Sequence, residues 1–180
     1  MDDSANLTVF EIDRIAYAGP ARQVAAGVRG ALRADPSRSL IVIEDQSGRV
    51  VDIDLREPRA EEPRRGRGRP KLGVSPREVT LLPRHWDWLG AQPGGASGTL
   101  RRLVEKAMRS DEAARTSARD AAYRAMTVLA GDRVGYEEAV RALYAGDAER
   151  FADLVGAWPA DVRDYVRRLA GWAEGRVRGG

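Results

Sequence analysis

The sequence predicts an α+β fold: a small N-terminal ββαββ unit, a basic linker, a short strand-helix-helix module and a C-terminal helical bundle. Three observations carry this prediction. Between residues 7 and 55, apolar residues come in short blocks or alternate with polar ones, as strands require. From residue 118 onward they recur at i, i+3, i+4 and i+7, the spacing of helices with one buried face. Between these regions, residues 56–76 hold four of the nine prolines and a run of arginines, a composition that suits neither element. With 180 residues, of which 43% are hydrophobic, the chain has enough apolar material for a core.

In the unit over residues 1–56, Leu7-Thr8-Val9-Phe10-Glu11-Ile12 has strand composition, and Ile15-Ala16-Tyr17 is placed to pair with it across Asp13-Arg14. Gly19-Pro20 opens a helix, where proline is tolerated in the first turn. Ala21, Val24, Ala25, Val28, Ala31 and Leu32 form its buried face. Leu40-Ile41-Val42-Ile43 and Val50 to Leu55 are expected as two further strands joined by Asp45-Gln46-Ser47-Gly48. In the second of these, Val51, Ile53 and Leu55 alternate with Asp52 and Asp54, which predicts one wet sheet face and a helix on the other.

Residues 57–76 form the linker, and its centre is Arg64-Arg65-Gly66-Arg67-Gly68-Arg69-Pro70-Lys71. Glycine disfavours a helix through backbone entropy and proline removes a donor, so an extended, solvated, cationic segment is expected. Arg67-Gly68-Arg69-Pro70 resembles the AT-hook, a minor-groove peptide. The resemblance implies that Arg67 and Arg69 enter an A·T-rich minor groove around Gly68 and Pro70, with Lys71 on a phosphate. Arg64 and Arg65 extend the basic run. A plain solvated linker is the competing reading, and the Arg-Gly alternation also resembles RNA-binding segments, which keeps single strands open as ligands.

The module at 77–109 begins with Arg77-Glu78-Val79-Thr80-Leu81-Leu82-Pro83, expected as a short strand stopped by proline. Arg84 to Gln92 suits a short helix, Pro93-Gly94-Gly95 breaks it, and Ser97 is expected to cap a second helix. This order resembles the ribbon-helix-helix fold, in which two chains pair their strands in the major groove. The resemblance implies a homodimer, phosphate contacts by Ser97, Gly98 and Thr99, and base reading by Arg77, Val79 and Leu81. The chain departs from that pattern, since two of the three reading positions are aliphatic. The alternatives are a strand buried in a monomeric core or a degenerate relative of that fold. Trp86 and Trp88 either pack on the second helix or stack on exposed bases.

Residues 110–175 are expected as a bundle of helices, followed by a tail at 176–180. Their stripes are Ala118, Ala122, Ala125, Met126 and Leu129; Tyr136, Val140, Leu143 and Tyr144; Phe151, Leu154, Val155 and Trp158; and Val162, Tyr165, Val166, Leu169 and Trp172. Gly146-Asp147 serves as a stop and a cap, and Pro159 separates the last two stripes. The stripes are read as core, with a groove for a partner as the alternative.

Charge is uneven. Residues 1–62 carry −4, residues 63–110 carry +8 and residues 111–180 carry −1. A basic middle between acidic ends is the pattern of a surface facing a polyanion. Only Lys71 and Lys106 among the 30 basic residues are lysine, an arginine bias typical of GC-rich coding. Cysteine is absent and His85 is the sole histidine, which leaves no thiol chemistry and no histidine metal cluster. No phosphate loop, zinc-protease pair or Ser-His-acid arrangement is present, so neither a catalytic residue, a cofactor nor a metal is expected. The N-terminus, Met1-Asp2-Asp3-Ser4, is acidic where a secretory leader is basic, and no apolar run spans a bilayer. A cytoplasmic protein with no membrane partner is expected.

Taken whole, the chain resembles a bacterial family catalogued as domain of unknown function 2239. The residues concerned are Gly68 to Gly73, Arg77 to Trp86 and Gln92 to Ser97. This resemblance implies relationship and assigns no activity. The functional expectation therefore rests on the basic segment: a non-enzymatic DNA-binding protein, a regulator, favouring A·T-rich duplex. The alternative is an adaptor or structural protein whose helical half binds a protein and whose basic segment is a tether.

Overall fold

Leu7, Thr8, Val9 and Phe10 are consecutive in a strand, and all four are buried. Alternate side chains leave opposite sheet faces, so this strand must be covered on both sides. The computed structural model describes residues 5–55 and 75–172. The chain divides into two compact units, one of Met1–Leu55 with Asp111–Gly180 and one of Arg56–Ser110.

In the first unit, β1 (Asn6–Glu11) is the central strand of an antiparallel sheet, between β2 (Arg14–Pro20) and β3 (Leu40–Glu44). Thr8 faces Ala18 on one side and Ile43 on the other. The turn between β1 and β2 carries Ile12 at φ 56°, a left-handed conformation unusual for a β-branched residue. Helix α1 (Ala21–Ala34) starts directly after Pro20, as expected, and buries Ala21, Val24, Val28 and Ala31. These pack with Leu7, Val9 and Val42 on one sheet face.

The other face meets the C-terminal helices: α4 (Asp111–Ala130), α5 (Tyr136–Ala145), α6 (Ala148–Val155) and α7 (Ala160–Leu169). Phe10 and Ile43 join Met126, Leu143, Phe151, Val155, Tyr165 and Val166 in one core. Phe10 and Tyr165 stack edge-on at 5.1 Å, and Phe151 and Trp172 do so at 5.3 Å. The segments 1–56 and 110–175, separated in the sequence reading, thus share a core, and the face expected to be wet is covered. The α+β class itself holds.

Local punctuation acts as the residue types require. Gly146, at φ 75°, ends α5, and the Asp147 carboxylate caps α6 by accepting from the Arg150 N–H at 3.0 Å. Pro159 stands at the N-cap of α7. The α5 stripe is rotated from expectation: Ala139, Ala142 and Leu143 are buried, whereas Tyr144 is exposed. The small alanines allow the close approach that tyrosine would block.

The fourth strand is a correction. Val50 makes one isolated antiparallel bridge to Ile43, and the Val51 N–H donates to the Val42 carbonyl at 3.0 Å, but no ladder extends to Leu55. Val51 and Ile53 still pack against the α1 side of the sheet, while Asp52 and Asp54 alternate with them. Apolar cover is supplied there without regular pairing.

Sheet and α7 are joined by a polar cluster around Asp45. Its Oδ1 accepts from the Thr8 hydroxyl at 2.7 Å and the Tyr165 hydroxyl at 3.1 Å. Its Oδ2 accepts from Arg168 Nη1 at 3.0 Å, and the Arg168 guanidinium lies 4.9 Å from the Tyr165 ring centre. Thr8 is fully buried, so its hydroxyl needs this partner. Burial pushes the Tyr165 phenol far above its usual range, and the neighbouring Asp45 charge adds to the shift. A raised folded-state value means that the stability contributed by neutral Tyr165 is complete below the unfolded value. It declines as pH rises beyond that point, about 10 for tyrosine. Tyr165 is therefore expected to ionise only with unfolding. In a tyrosinate absorbance titration, a late phase coincident with loss of ellipticity should be present in the native chain and absent in Tyr165→Phe. Smooth ionisation of all five tyrosines before unfolding would contradict the placement.

Candidate nucleic-acid interface

The second unit, Arg56–Ser110, contains 13 basic and 6 acidic residues, net +7, while the remainder of the chain carries −4. Basic charge is therefore segregated along a structural boundary. Within the unit, Arg64, Arg65, Arg67, Gly68, Arg69, Pro70 and Lys71 lie outside the described residues. Arg77 is exposed in a segment without secondary structure.

That segment corrects the expected strand: residues 75–82 form none. A strand exists by pairing, and no neighbouring strand among the described residues meets this one. Helix α2 (Pro83–Gly90) begins at proline, where the missing N–H is no loss. The Leu82 carbonyl accepts from the N–H groups of His85 at 2.8 Å and Trp86 at 3.3 Å. His85, Trp86 and Trp88 are exposed, the indoles by 42% and 53%, so neither tryptophan is absorbed by packing.

Helix α3 (Gly95–Met108) starts three residues earlier than a Ser97 cap would place it. Gly94 and Gly95 take φ values of 87° and 67°, open to glycine at little cost, and they turn the chain into the helix. Ser97 is accordingly an exposed residue inside the first turn, and no side chain caps this end. Thr99 is buried, and its Oγ1 accepts from Arg102 Nη2 at 2.9 Å. The same Nη2 donates to the Pro93 carbonyl at 2.7 Å, tying the turn to the helix. The Thr99 hydroxyl thus serves the internal packing of the turn and helix.

The structure also presents α3 residues that belong to none of the motifs named above. Arg101, Arg102, Glu105, Lys106 and Arg109 share one face of the helix, giving four cations and one anion within nine positions. Arg102, Glu105, Lys106 and Arg109 line a surface groove of about 710 Å³ together with Leu103, Ala107 and Ser110. Glu105 is 3.9 Å from Arg109, so it offsets part of that charge. The signal was present in the sequence as cations at 102, 106 and 109, the i, i+4, i+7 spacing of one helix face. The opposite face carries Leu100, Leu103, Val104, Ala107 and Met108, with Val104 55% and Met108 72% exposed.

Chemically, this arrangement offers charge and stacking surfaces. Among the described residues no group of three or more potential ligands is placed to hold a metal ion, and no helix is long and apolar enough to cross a membrane. A family model described as "Uncharacterized protein conserved in bacteria (DUF2239)" matches residues 6–170. No curated protein and no solved structure matches the chain.

Proposed function

Because the chain belongs to this bacterial family, whose description assigns no chemistry, we propose its function from charge: it is a non-enzymatic protein that binds duplex DNA through the unit Arg56–Ser110. The observation that carries the proposal is the net +7 of that unit beside the −4 of the rest. Phosphates attract such a surface irrespective of sequence. Arg67 and Arg69 enter an A·T-rich minor groove in the manner of an AT-hook, around Gly68 and Pro70. Arg64, Arg65, Lys71, Arg77, Arg84 and the basic face of α3 meet phosphates. Such binding positions the protein and favours groove shape over base edges, which suits a regulator acting on A·T-rich tracts in the cytoplasm.

Fluorescence anisotropy with matched A·T-rich and G·C-rich duplexes tests this reading. The native chain should prefer the A·T-rich duplex, and Arg67→Ala with Arg69→Ala should weaken that binding about tenfold or more and erase the preference. Equal affinity for both duplexes, unchanged in the variant, would remove the hook while leaving the phosphate contacts. A second reading, an adaptor whose helical half binds a protein and whose basic segment is a tether, requires no DNA affinity at all.

A further inference from the structure

We propose that the apolar face of α3, with the tryptophans of α2, is a homodimer interface covered by a second copy of this chain. The observation is independent of the DNA reading. Helix α3 is two-faced, yet every residue from Arg101 to Arg109 is exposed, the apolar side included. Leu100, Leu103, Val104, Ala107 and Met108 follow i, i+3, i+4, i+7, i+8, the spacing of a helix face made for burial. Within the described part of the unit, Leu89 and Thr99 alone are buried. Two buried residues among those described are a small core for a helix pair.

The uncovered area fits a dimer. Trp86, Trp88, Leu103, Val104 and Met108 are each 42% to 72% exposed. With full side-chain areas of about 150–250 Å² for the largest of them, they leave roughly 550 Å² uncovered. The smallest stable complexes of standard size bury about 600 Å² per partner. Among single exposed apolar residues this concentration is far above background, and tryptophan and methionine are the types enriched at interfaces. A second copy is the occupant that is present whenever the chain is made, as a face needing permanent cover requires. A two-fold axis then places the same stripe on both sides. The cations of α3 lie on the side opposite the centre of the apolar stripe, and Arg102, Lys106 and Arg109 border it along the groove that also holds Leu103 and Ala107.

Sedimentation equilibrium of the full chain, without nucleic acid, tests the inference. The native protein should be dimeric at micromolar concentration. Leu103→Glu with Met108→Glu should raise the dissociation constant about a hundredfold or more, because carboxylates would be buried without partners. Both residues are exposed in the single chain, so the ellipticity and melting of the first unit should stay unchanged. Val134→Glu, at a 93% exposed site of the first unit, should leave the dimer intact. A monomer at all concentrations up to about 100 μM, or a dimer that Val134→Glu weakens and the α3 variant does not, overturns the proposal.

Discussion

Gly48→Ala is expected to lower stability by about 3–5 kcal/mol, the largest loss expected from an alanine at any described glycine. Gly48 has φ 68°, where a side chain is strained, and its N–H donates to the Glu44 carbonyl at 2.8 Å, closing the turn after β3. A Cβ there would stand 2.0 Å from the Ala121 carbonyl oxygen and 2.7 Å from the Ala121 Cα. Both are backbone atoms of α4, so no rotamer relieves the overlap, and either the turn or the helix must shift. Arg124 Nη1, which donates to the Ser47 carbonyl at 2.9 Å, would lose its geometry as well. The melting temperature should fall by roughly 10 °C. Gly30→Ala is the control: it lies within α1, a Cβ there meets nothing within 4 Å, and its backbone is not left-handed. That change should stabilise by about 0.5–1 kcal/mol. Equal effects of the two substitutions would contradict the described packing of the turn on α4.

Asp45→Ala should cost about 3 kcal/mol, measured as a shift in the urea midpoint at unchanged slope. One carboxylate accepts from Thr8, Tyr165 and Arg168, which come from β1 and α7. Removing it leaves the fully buried Thr8 hydroxyl, which still accepts from Arg168 Nη2 at 3.4 Å, with no acceptor for its proton, and takes the Asp45 acceptor from the Tyr165 hydroxyl. Arg168 is nearly half exposed and regains water, so its loss contributes little. Asp45→Asn keeps an acceptor at Oδ1 and should cost less, and Tyr165→Phe should cost about 1 kcal/mol, because Asp45 retains its other donors. A loss below about 0.5 kcal/mol for Asp45→Ala would show that the cluster does not hold the sheet to α7.

What the sequence made legible follows from how local each signal is. Helix α1 after Pro20, the α5–α6 break at Gly146-Asp147 and the α7 start after Pro159 depend on residues within one or two turns, and they stand as expected. The pairing of Thr8 and Phe10 with helices more than a hundred residues away is non-local, so the shared core was not legible from periodicity. The strand expected at 77–83 had the right composition, but a strand is completed only by a neighbour. At the start of α3, Ser97 was the residue type expected to cap, whereas the positive φ of Gly94 and Gly95 sets the boundary. For the candidate site, net charge was legible because charge adds along a sequence. The two-faced character of α3 was also written there, in cations at 102, 106 and 109 opposite Leu103, Val104 and Met108. What periodicity does not reveal is that the apolar face stays uncovered, since burial depends on the rest of the molecule.

The claim that the unit Arg56–Ser110 docks on the DNA backbone is tested most directly by the salt dependence of binding to a single A·T-rich duplex. If five to seven of the nine cations assigned to phosphates displace condensed counterions, log K should fall linearly with log salt at a slope of roughly −4 to −6. Absence of binding at low salt would contradict the claim, and so would a slope near zero.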